Sequence, residues 1–336
     1  MNDAINKEKR KYSILLISLS IVLVISMFIS LCIGRYSIKI GEIIFYLFNK
    51  SINPTSYNVI KYLRIPRILV SVCVGCALSL SGTIYQSLFN NKLVSPDLLG
   101  VSQGASVGAC FAILLGLSSV MISIFAFLMG FIAVILSLLI AKIIKNKSNI
   151  VLILSGLAVG GLMNSLVGLM KYLADNEMKL AEMTYWLLGD LSVVKMTDFY
   201  ILFPVLITFS IVTIIWSHKL NIVSLGYKEA KSLGVNYKLT MIVLIIIATA
   251  LTAVSVSISG TISWIGLVIP NIVRLIVGSN NKKVIPVSML LGSIFMVIVD
   301  TFARSISPNE IPLSIITGII GTPLFIYAIY HRRKEL

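Results

Sequence analysis

Long apolar runs alternate with short polar connections along this chain. The runs fall at about residues 13–33, 65–88, 98–117, 119–142, 150–172, 199–217, 239–259, 264–278, 284–304 and 311–330. Most approach the ~20 residues that a helix needs to cross a hydrocarbon core. Within a run the apolar positions are continuous and do not alternate with polar ones, so the period of a barrel strand is missing. Helices and closed barrels are the structures that satisfy every backbone group without water, and continuous runs select helices. The pattern predicts an all-α integral membrane fold of about ten spans, forming one transmembrane domain over residues 1–336. The longest polar break, 34–63, contains Asn53-Pro54 and is expected to hold a short surface helix.

Composition agrees. Hydrophobic residues make up 57% and charged residues 12% of the chain, against roughly 25% charged in soluble domains. The net charge of +15 does not point to nucleic acid, because the Lys and Arg residues form no stripe or aromatic-interleaved patch. Alternating the connections places eighteen basic and five acidic residues on the amino-terminal side, against ten and eight on the other. Basic residues collect on the cytoplasmic side of membrane proteins, so both termini are expected in the cytoplasm. The apolar run at 14–33 is long enough to span and no A-x-A site follows, so it reads as a helix rather than a cleaved signal. Cys32, Cys73, Cys76 and Cys110 all lie in apolar runs and read as small packing residues, with no metal or redox set around them.

Several motifs carry more than one reading. Ser79-Leu-Ser-Gly-Thr-Ile84 recurs as Ser257-Ile-Ser-Gly-Thr-Ile262, in runs that point in opposite directions, which suggests an inverted repeat. Gly100, Gly104 and Gly108 share a helical face and read as small-xxx-small packing rather than a phosphate loop. No Walker A sequence occurs, so any ATP that drives this chain is hydrolysed by another subunit. Asp300 and Arg304 stand at i and i+4, either as an intrahelical pair or as charge offered outward. Arg64-Ile-Pro-Arg67 either snorkels to headgroups or docks a partner. Pro270 either kinks its helix for packing or marks a broken helix beside a pathway. The longest internal cytoplasmic connection, 218–238, holds Ser224, Leu225, Gly226, Glu229, Ala230, Leu233 and Gly234. Its glycines bracket a short helix on which Ala230 and Leu233 should share an apolar face, suited to a partner's groove.

These residues give the chain its resemblance to a known family. Arg64-Ile-Pro-Arg67 resembles the R-[LI]-P-R entry to span two of the FecCD-type permeases. Ser81-Gly82, Gln86, Asn90, Pro96 and Leu99-Gly100-Val101-Ser102 are similar to the stretch that follows it there. Trp186-Leu-Leu-Gly189, Gly260, Ile265-Gly266-Leu267-Val268, Pro270 and Arg274 continue the match in order. Asp300-Thr-Phe-Ala303-Arg304, Glu310-Ile-Pro312 and Gly318-Ile-Ile-Gly321-Thr-Pro323 complete it. Lys92, Val94, Ser95 and Asn271 depart from the family's usual residues.

The resemblance implies the membrane subunit of an ABC importer for iron–siderophores, haem or cobalamin in a bacterial cell membrane, with a ferric siderophore as the leading substrate. It implies a dimer of permeases, two cytoplasmic ATPase subunits that use ATP, and an extracytoplasmic binding protein; this chain itself is expected to bind no cofactor. It implies that Arg64, Arg67 and Arg304 dock the binding protein. It implies further that Ser224 to Gly234 couples to the ATPases, and that Ser155, Gly156, Asn164 and Ser165 lie along the pathway. An ion-coupled secondary transporter would want paired midplane acids, and Asp300 alone is a poor match. An intramembrane enzyme would want H-E-x-x-H or a Ser/His/Asp set, which the chain lacks.

Overall fold

The computed structural model describes residues 2–48, 52–144, 149–307 and 309–332. Lys145, Lys147, Arg333, Lys334 and Glu335, which enter the charge count above, lie outside the described residues. Among the described residues the secondary structure is entirely helical. It comprises α1 (Asn2–Cys32), α2 (Ile40–Leu47), α3 (Pro54–Asn58), a π-helical turn (Val59–Arg64) and α4 (Ile65–Leu88). A 3-10 turn (Pro96–Leu99) precedes α5 (Val101–Leu114), α6 (Ser119–Ile143), α7 (Asn149–Tyr172), α8 (Glu177–Leu188) and α9 (Met196–Ile215). Then come α10 (Ser217–Val223), α11 (Tyr227–Ser232), α12 (Tyr237–Ser259), α13 (Ile265–Val277), α14 (Asn281–Ala303) and α15 (Leu313–Arg332).

Eight of these helices are long and apolar enough to cross a membrane: α1, α3 run on into α4, α6, α7, α9, α12, α14 and α15. The other two apolar runs form helices of 14 and 13 residues, α5 and α13. The first is shorter than its run of 98–117, while the second fills all but the end residues of 264–278, itself a short run. The backbone leaves the helical region at their starts, at Gly100 (φ 81°) and at Trp264 (φ 75°). Irregular backbone at membrane depth is tolerated only where protein surrounds it, and the start of each helix is packed inside: Val101 and Ile265 are both fully buried.

The core is built around α4, whose most apolar window is 89% buried. Lipid tails are as apolar as leucine, so burying apolar side chains gains little between membrane helices; close backbone approach and hydrogen bonds must hold them. The sequence supplies both on α4. A Cβ at Gly75 would collide with the carbonyl of Gly292 on α14, and one at Gly82 with the carbonyl of Gly266 on α13. Ser81 Oγ donates to the Ala248 carbonyl of α12 at 2.9 Å and lies 2.7 Å from Thr252 Oγ1, while Tyr85 Oη meets Thr249 Oγ1 at 2.9 Å. Arg67 meets Asp300 at one end of the α4–α14 pair and Ser87 meets Asn281 at the other, so the two helices run antiparallel. In contrast, α1 runs parallel to α14, with Tyr12 near Lys283 and Ser30 bonded to Thr301. First, second and ninth runs therefore alternate in direction as the charge pattern requires.

Of the three glycines expected to pack together, Gly104 and Gly108 do so, their faces pressed on the Met129 and Phe125 carbonyls of α6. Gly100 does not share their face. It caps the 3-10 turn in a left-handed conformation, which favours glycine, and it faces Val159 and Gly160 of α7. The hexapeptide echo also divides. Residues 79–84 lie inside α4, whereas 257–262 leave α12 at Ser259 and turn at Gly260 (φ 66°). Two nearly identical hexapeptides thus take different conformations, helical throughout in one and turning in the other. The Gly318-x-x-Gly321 pair of α15 makes room for Trp264; a Cβ on Gly321 would stand 2.8 Å from the tryptophan's.

The α4–α13 contact should be intolerant of volume. Gly82→Val should lower stability by about 1–3 kcal/mol, the range for overpacking, because the obstacle is backbone. Gly41→Ala, where a Cβ meets nothing within 4 Å, should leave the melting temperature in detergent unchanged or raised. Equal melting of the two variants would show that α4 and α13 are not in close contact.

Candidate functional site

Three places bear on function: a charged knot at one end of α4, the open face of α7 with α8, and the α10–α11 segment.

Arg64, Arg67 and Arg304 do meet at one end of the fold, but they are buried, only 4%, 7% and 6% exposed. Arg64 donates to the carbonyls of Leu31, Cys32 and Tyr36. Arg304 donates to Ser30, through both its carbonyl and its hydroxyl. These acceptors close the last turn of α1, where unsatisfied carbonyls attract cations. Arg67 Nε reaches Asp300 at 2.8 Å and its Nη1 reaches Glu310 at 2.8 Å. Asp300 is fully buried, and its second oxygen stands 3.8 Å from Arg304 Nε. The intrahelical Asp300–Arg304 pair is thus present but loose, and Asp300's main partner lies across the α4–α14 contact. The sequence expectation of three outward-facing arginines needs correction on this point. Burial demands partners for each charge, and the chain supplies them from within. What faces out beside the knot is Glu310, with Arg35, Asp190 and Asn309 around a cavity of about 260 Å³.

The residues expected along a pathway, Ser155, Gly156, Asn164 and Ser165, split into two pairs. Ser155 and Gly156 are buried; Ser155 Oγ bonds back to the Val151 carbonyl at 2.8 Å, and Gly156 is pressed against the Leu98 carbonyl. Those two are packing residues. Asn164 and Ser165 are exposed, together with Gly161 and Gly168, which touch nothing within 4 Å. The following helix α8 exposes Glu177, Glu182 and Tyr185, which line cavities with residues of α6, α12 and the α14–α15 connection, and Asp190 follows it. Its one lysine, Lys179, is tied to the Leu114 carbonyl at 2.8 Å.

Between α9 and α12 the chain forms two short helices, α10 and α11. Glycines in the left-handed region flank α11, Gly226 at φ 114° and Gly234 at φ 73°. Ala230 is fully buried, however, and Leu233 is 58% exposed. They do not form one outward face, because Ala230 is the residue that seats α11 against the body. The outward apolar residues are Leu225, Tyr227 and Leu233, with Lys228, Glu229 and Lys231 beside them. Ser224 Oγ bonds back to the Asn221 carbonyl at 2.7 Å and ends α10.

Sequence comparison bears directly on this arrangement. The FecCD transport family model matches residues 22–331. The chain belongs to the FecCD transport family. The molybdate import permease MolB of Haemophilus influenzae is 38% identical over 96% of this chain and 97% of its own length. The hemin permease HmuU of Yersinia pestis is 32% identical over 86% of this chain and 88% of its own. A solved inward-facing structure assigned to the metal-chelate type of ABC transporter is 38% identical. It covers 94% of this chain and 98% of that one, with a TM-score of 0.85. The protein is a multi-pass ABC importer permease.

One feature of this FecCD permease was not legible as a site. Pro270 removes the N–H that would close the helix on the Gly266 carbonyl, yet α13 runs through it without a break. Gln86 Nε2 donates instead, to the Gly266 and Leu267 carbonyls at 3.4 and 3.1 Å. Its Oε1 in turn accepts from Arg274 at 2.5 Å. Arg274 also donates to Ser87 Oγ at 2.9 Å, and Ser87 donates to Asn281. The residues Gln86, Pro270 and Arg274 were each visible as motif positions, but only the fold joins them. Among the described residues, no three His, Cys, Asp or Glu side chains stand close enough to hold a metal.

The Arg67–Asp300 pair can be tested as a pair. Arg67→Met leaves Asp300 buried without its main partner, which costs about 3–5 kcal/mol. Arg67→Met with Asp300→Asn should recover most of that loss. Thermal unfolding of the purified permease measures both, and a double variant no better than the single would break the assignment.

Proposed function

We propose that this permease forms half of the membrane part of an importer for a ferric chelate, with ten spans and both termini in the cytoplasm. In this reading α5 and α13 complete the eight long helices as two short spans. A second permease, identical or related, faces α7 and α8, and the substrate passes between the two. Two ATPase subunits lie on the cytoplasmic side and hydrolyse ATP, with no cofactor bound by this chain. A binding protein delivers the chelate outside, onto the face that the arginine knot frames.

The observation that carries this reading is α7. It is a 23-residue apolar span that leaves Asn164 and Ser165 exposed beside two glycines with open space. A polar amide against lipid is costly, and such residues face a bundle interior or a water-filled path. Together with family membership, that supports reading the α7 face as a subunit seam rather than a lipid surface. The resemblance assigns the pathway to the same helix and the short helix after it.

The charge along that helix bears on the substrate. From the end of α7 to just past α8, the acids Asp175, Glu177, Glu182 and Asp190 outnumber the bases Lys171 and Lys179, the latter engaged by a carbonyl. Acidic walls repel a small dianion and suit a neutral or cationic chelate. A second reading, molybdate, rests on the 38% identity with the Haemophilus permease. Proteoliposomes holding the permease, its ATPase and its binding protein distinguish them. Uptake of ⁵⁵Fe-labelled hydroxamate chelate, undiminished by excess molybdate, is the expected outcome. Uptake of ⁹⁹Mo-molybdate without chelate uptake would replace the first reading with the second.

Coupling to the ATPases is placed at α10–α11, through the outward residues Leu225, Tyr227 and Leu233. Leu233 is exposed, so Leu233→Asp should leave folding intact while setting a charge in the ATPase groove, where an unpaired charge costs several kcal/mol. Chelate uptake should fall at least about tenfold, since ~1.4 kcal/mol already gives that factor. Ala230→Asp should instead unseat α11 and lower the permease's own stability. Wild-type uptake and wild-type ATPase rate in Leu233→Asp would move the contact elsewhere, with the loop 89–97 next in line.

A further inference from the structure

A cavity of about 680 Å³ lies away from α7, α8 and the arginine knot. It is lined by Asn90, Asn91, Lys92 and Leu93 after α4, by Asn271 to Ser279 at the end of α13, and by Phe325, Ala328 and Ile329 of α15. Its chemistry is mixed. The lining combines Arg274, Lys92, three asparagines and Ser279, with no acidic residue, and the apolar side chains of Leu93, Leu275, Phe325, Ala328 and Ile329.

Arg274 is the unusual member. It is 8% exposed, and the hydrogen-bond partners of its guanidinium among the described residues are neutral: Gln86, Ser87 and the carbonyls of Pro270 and Thr83. Among the described residues the ion pairs involve Arg67, Arg304 and Lys283, and none reaches Arg274. The other buried arginine cluster shows how this chain handles such charges, by placing Asp300 and Glu310 against them. Arg274 has no such acid. Two helices, α4 and α13, end beside it, and helix ends carry partial negative charge. Several of those carbonyls are already engaged, since Asn90, Asn91 and Gly278 donate their N–H groups to Ser87, Gln86 and Arg274. The half-buried Lys92 then adds a second cation to the cavity wall.

We propose that this cavity binds a phosphate group, carried on an anionic phospholipid or free in solution. A guanidinium, an ammonium and side-chain amides are the donors that recognise a phosphate. Basic pockets between membrane helices hold anionic headgroups. The apolar lining gives an acyl chain a surface that a free ion would not use.

The test uses the full-length permease purified in neutral detergent and stripped of lipid. Thermal unfolding and native mass spectrometry are followed with phosphatidylglycerol or phosphatidylcholine, and separately with inorganic phosphate or chloride at matched ionic strength. Stabilisation and retention specific to phosphatidylglycerol assign the site to lipid. A phosphate-specific shift without a phosphatidylglycerol preference assigns it to the free anion. Arg274→Gln removes the buried charge and should weaken binding about tenfold or more, the value of a charge-assisted hydrogen bond. Arg274 also ties α13 to α4, so two variants at accessible positions accompany it. Lys92→Gln should weaken binding several-fold, and Ile329→Trp should crowd the apolar lining and reduce lipid retention alone. Equal responses to both lipids with none to phosphate would overturn the proposal. So would binding that Lys92→Gln and Ile329→Trp both leave unchanged.

Discussion

The close backbone approach along α4 is the contact on which the remaining structure depends. In water a helix is held by its apolar stripe; in a bilayer that stripe gains nothing over lipid. This chain answers with glycine and hydroxyl side chains on one helix. Gly75 and Gly82 bring α14 and α13 to backbone distance, and Ser81 and Tyr85 bond α12. Once α13 lies that near, Gln86 can reach the carbonyl that Pro270 leaves open. The proline is then no defect in α13. Its cost is met by a side chain from the neighbour, and the two helices become fixed in register as well as in distance.

The same logic governs α1, which packs loosely; only 6% of its most apolar window is buried. It is attached chiefly near its ends. At one end Tyr12 and Glu8 bond the Lys283 carbonyl and side chain. At the other, Arg64 and Arg304 take the carbonyls of its last turn. Those carbonyls would otherwise be orphans at a helix terminus. The arginines therefore satisfy two needs at once, the helix end's and their own. Asp300, on the far side of Arg304, links this attachment to Arg67 and so to α4.

Much of this was legible from residues alone. Apolar runs located every long helix to within a few positions at most boundaries, because a span's length is set by the bilayer rather than by its neighbours. The run that misled, 98–117, is the one whose start bends into the protein interior at Gly100; hydropathy reports apolar character and is blind to backbone angles. Gly104 and Gly108 were readable as packing residues since their spacing puts them on one face. Ala230 and Leu233 were misjudged because a six-residue helix has too few turns to fix which side faces the body. The arginines were misjudged for a different reason. Charge at a span's outer end reads as exposed until its partners are known, and Ser30, Leu31, Cys32, Asp300 and Glu310 come from segments far apart in sequence.

The burial of those arginines changes what an outer partner would encounter. Exposed arginines would bind acidic groups by direct contact, in a manner screened by salt within about 10 Å at 0.1 M. Buried ones act at a distance, through the field of a knot with three guanidiniums and two carboxylates. That knot carries one net positive charge, and its most accessible member is an acid: the Glu310 side chain is 28% exposed, against 9% for Arg67. Glu310 sits in the short connection between α14 and α15, and Leu313, the first residue of α15, donates its N–H to the Gly189 carbonyl at 3.1 Å. Gly189 closes α8. A displacement of Glu310 from Arg67 would thus expose a guanidinium and disturb the connection that reaches the α8 helix. Through Glu310 and Leu313 the connection therefore joins Arg67 of α4 to the end of α8, by a short stretch of chain that no long helix spans.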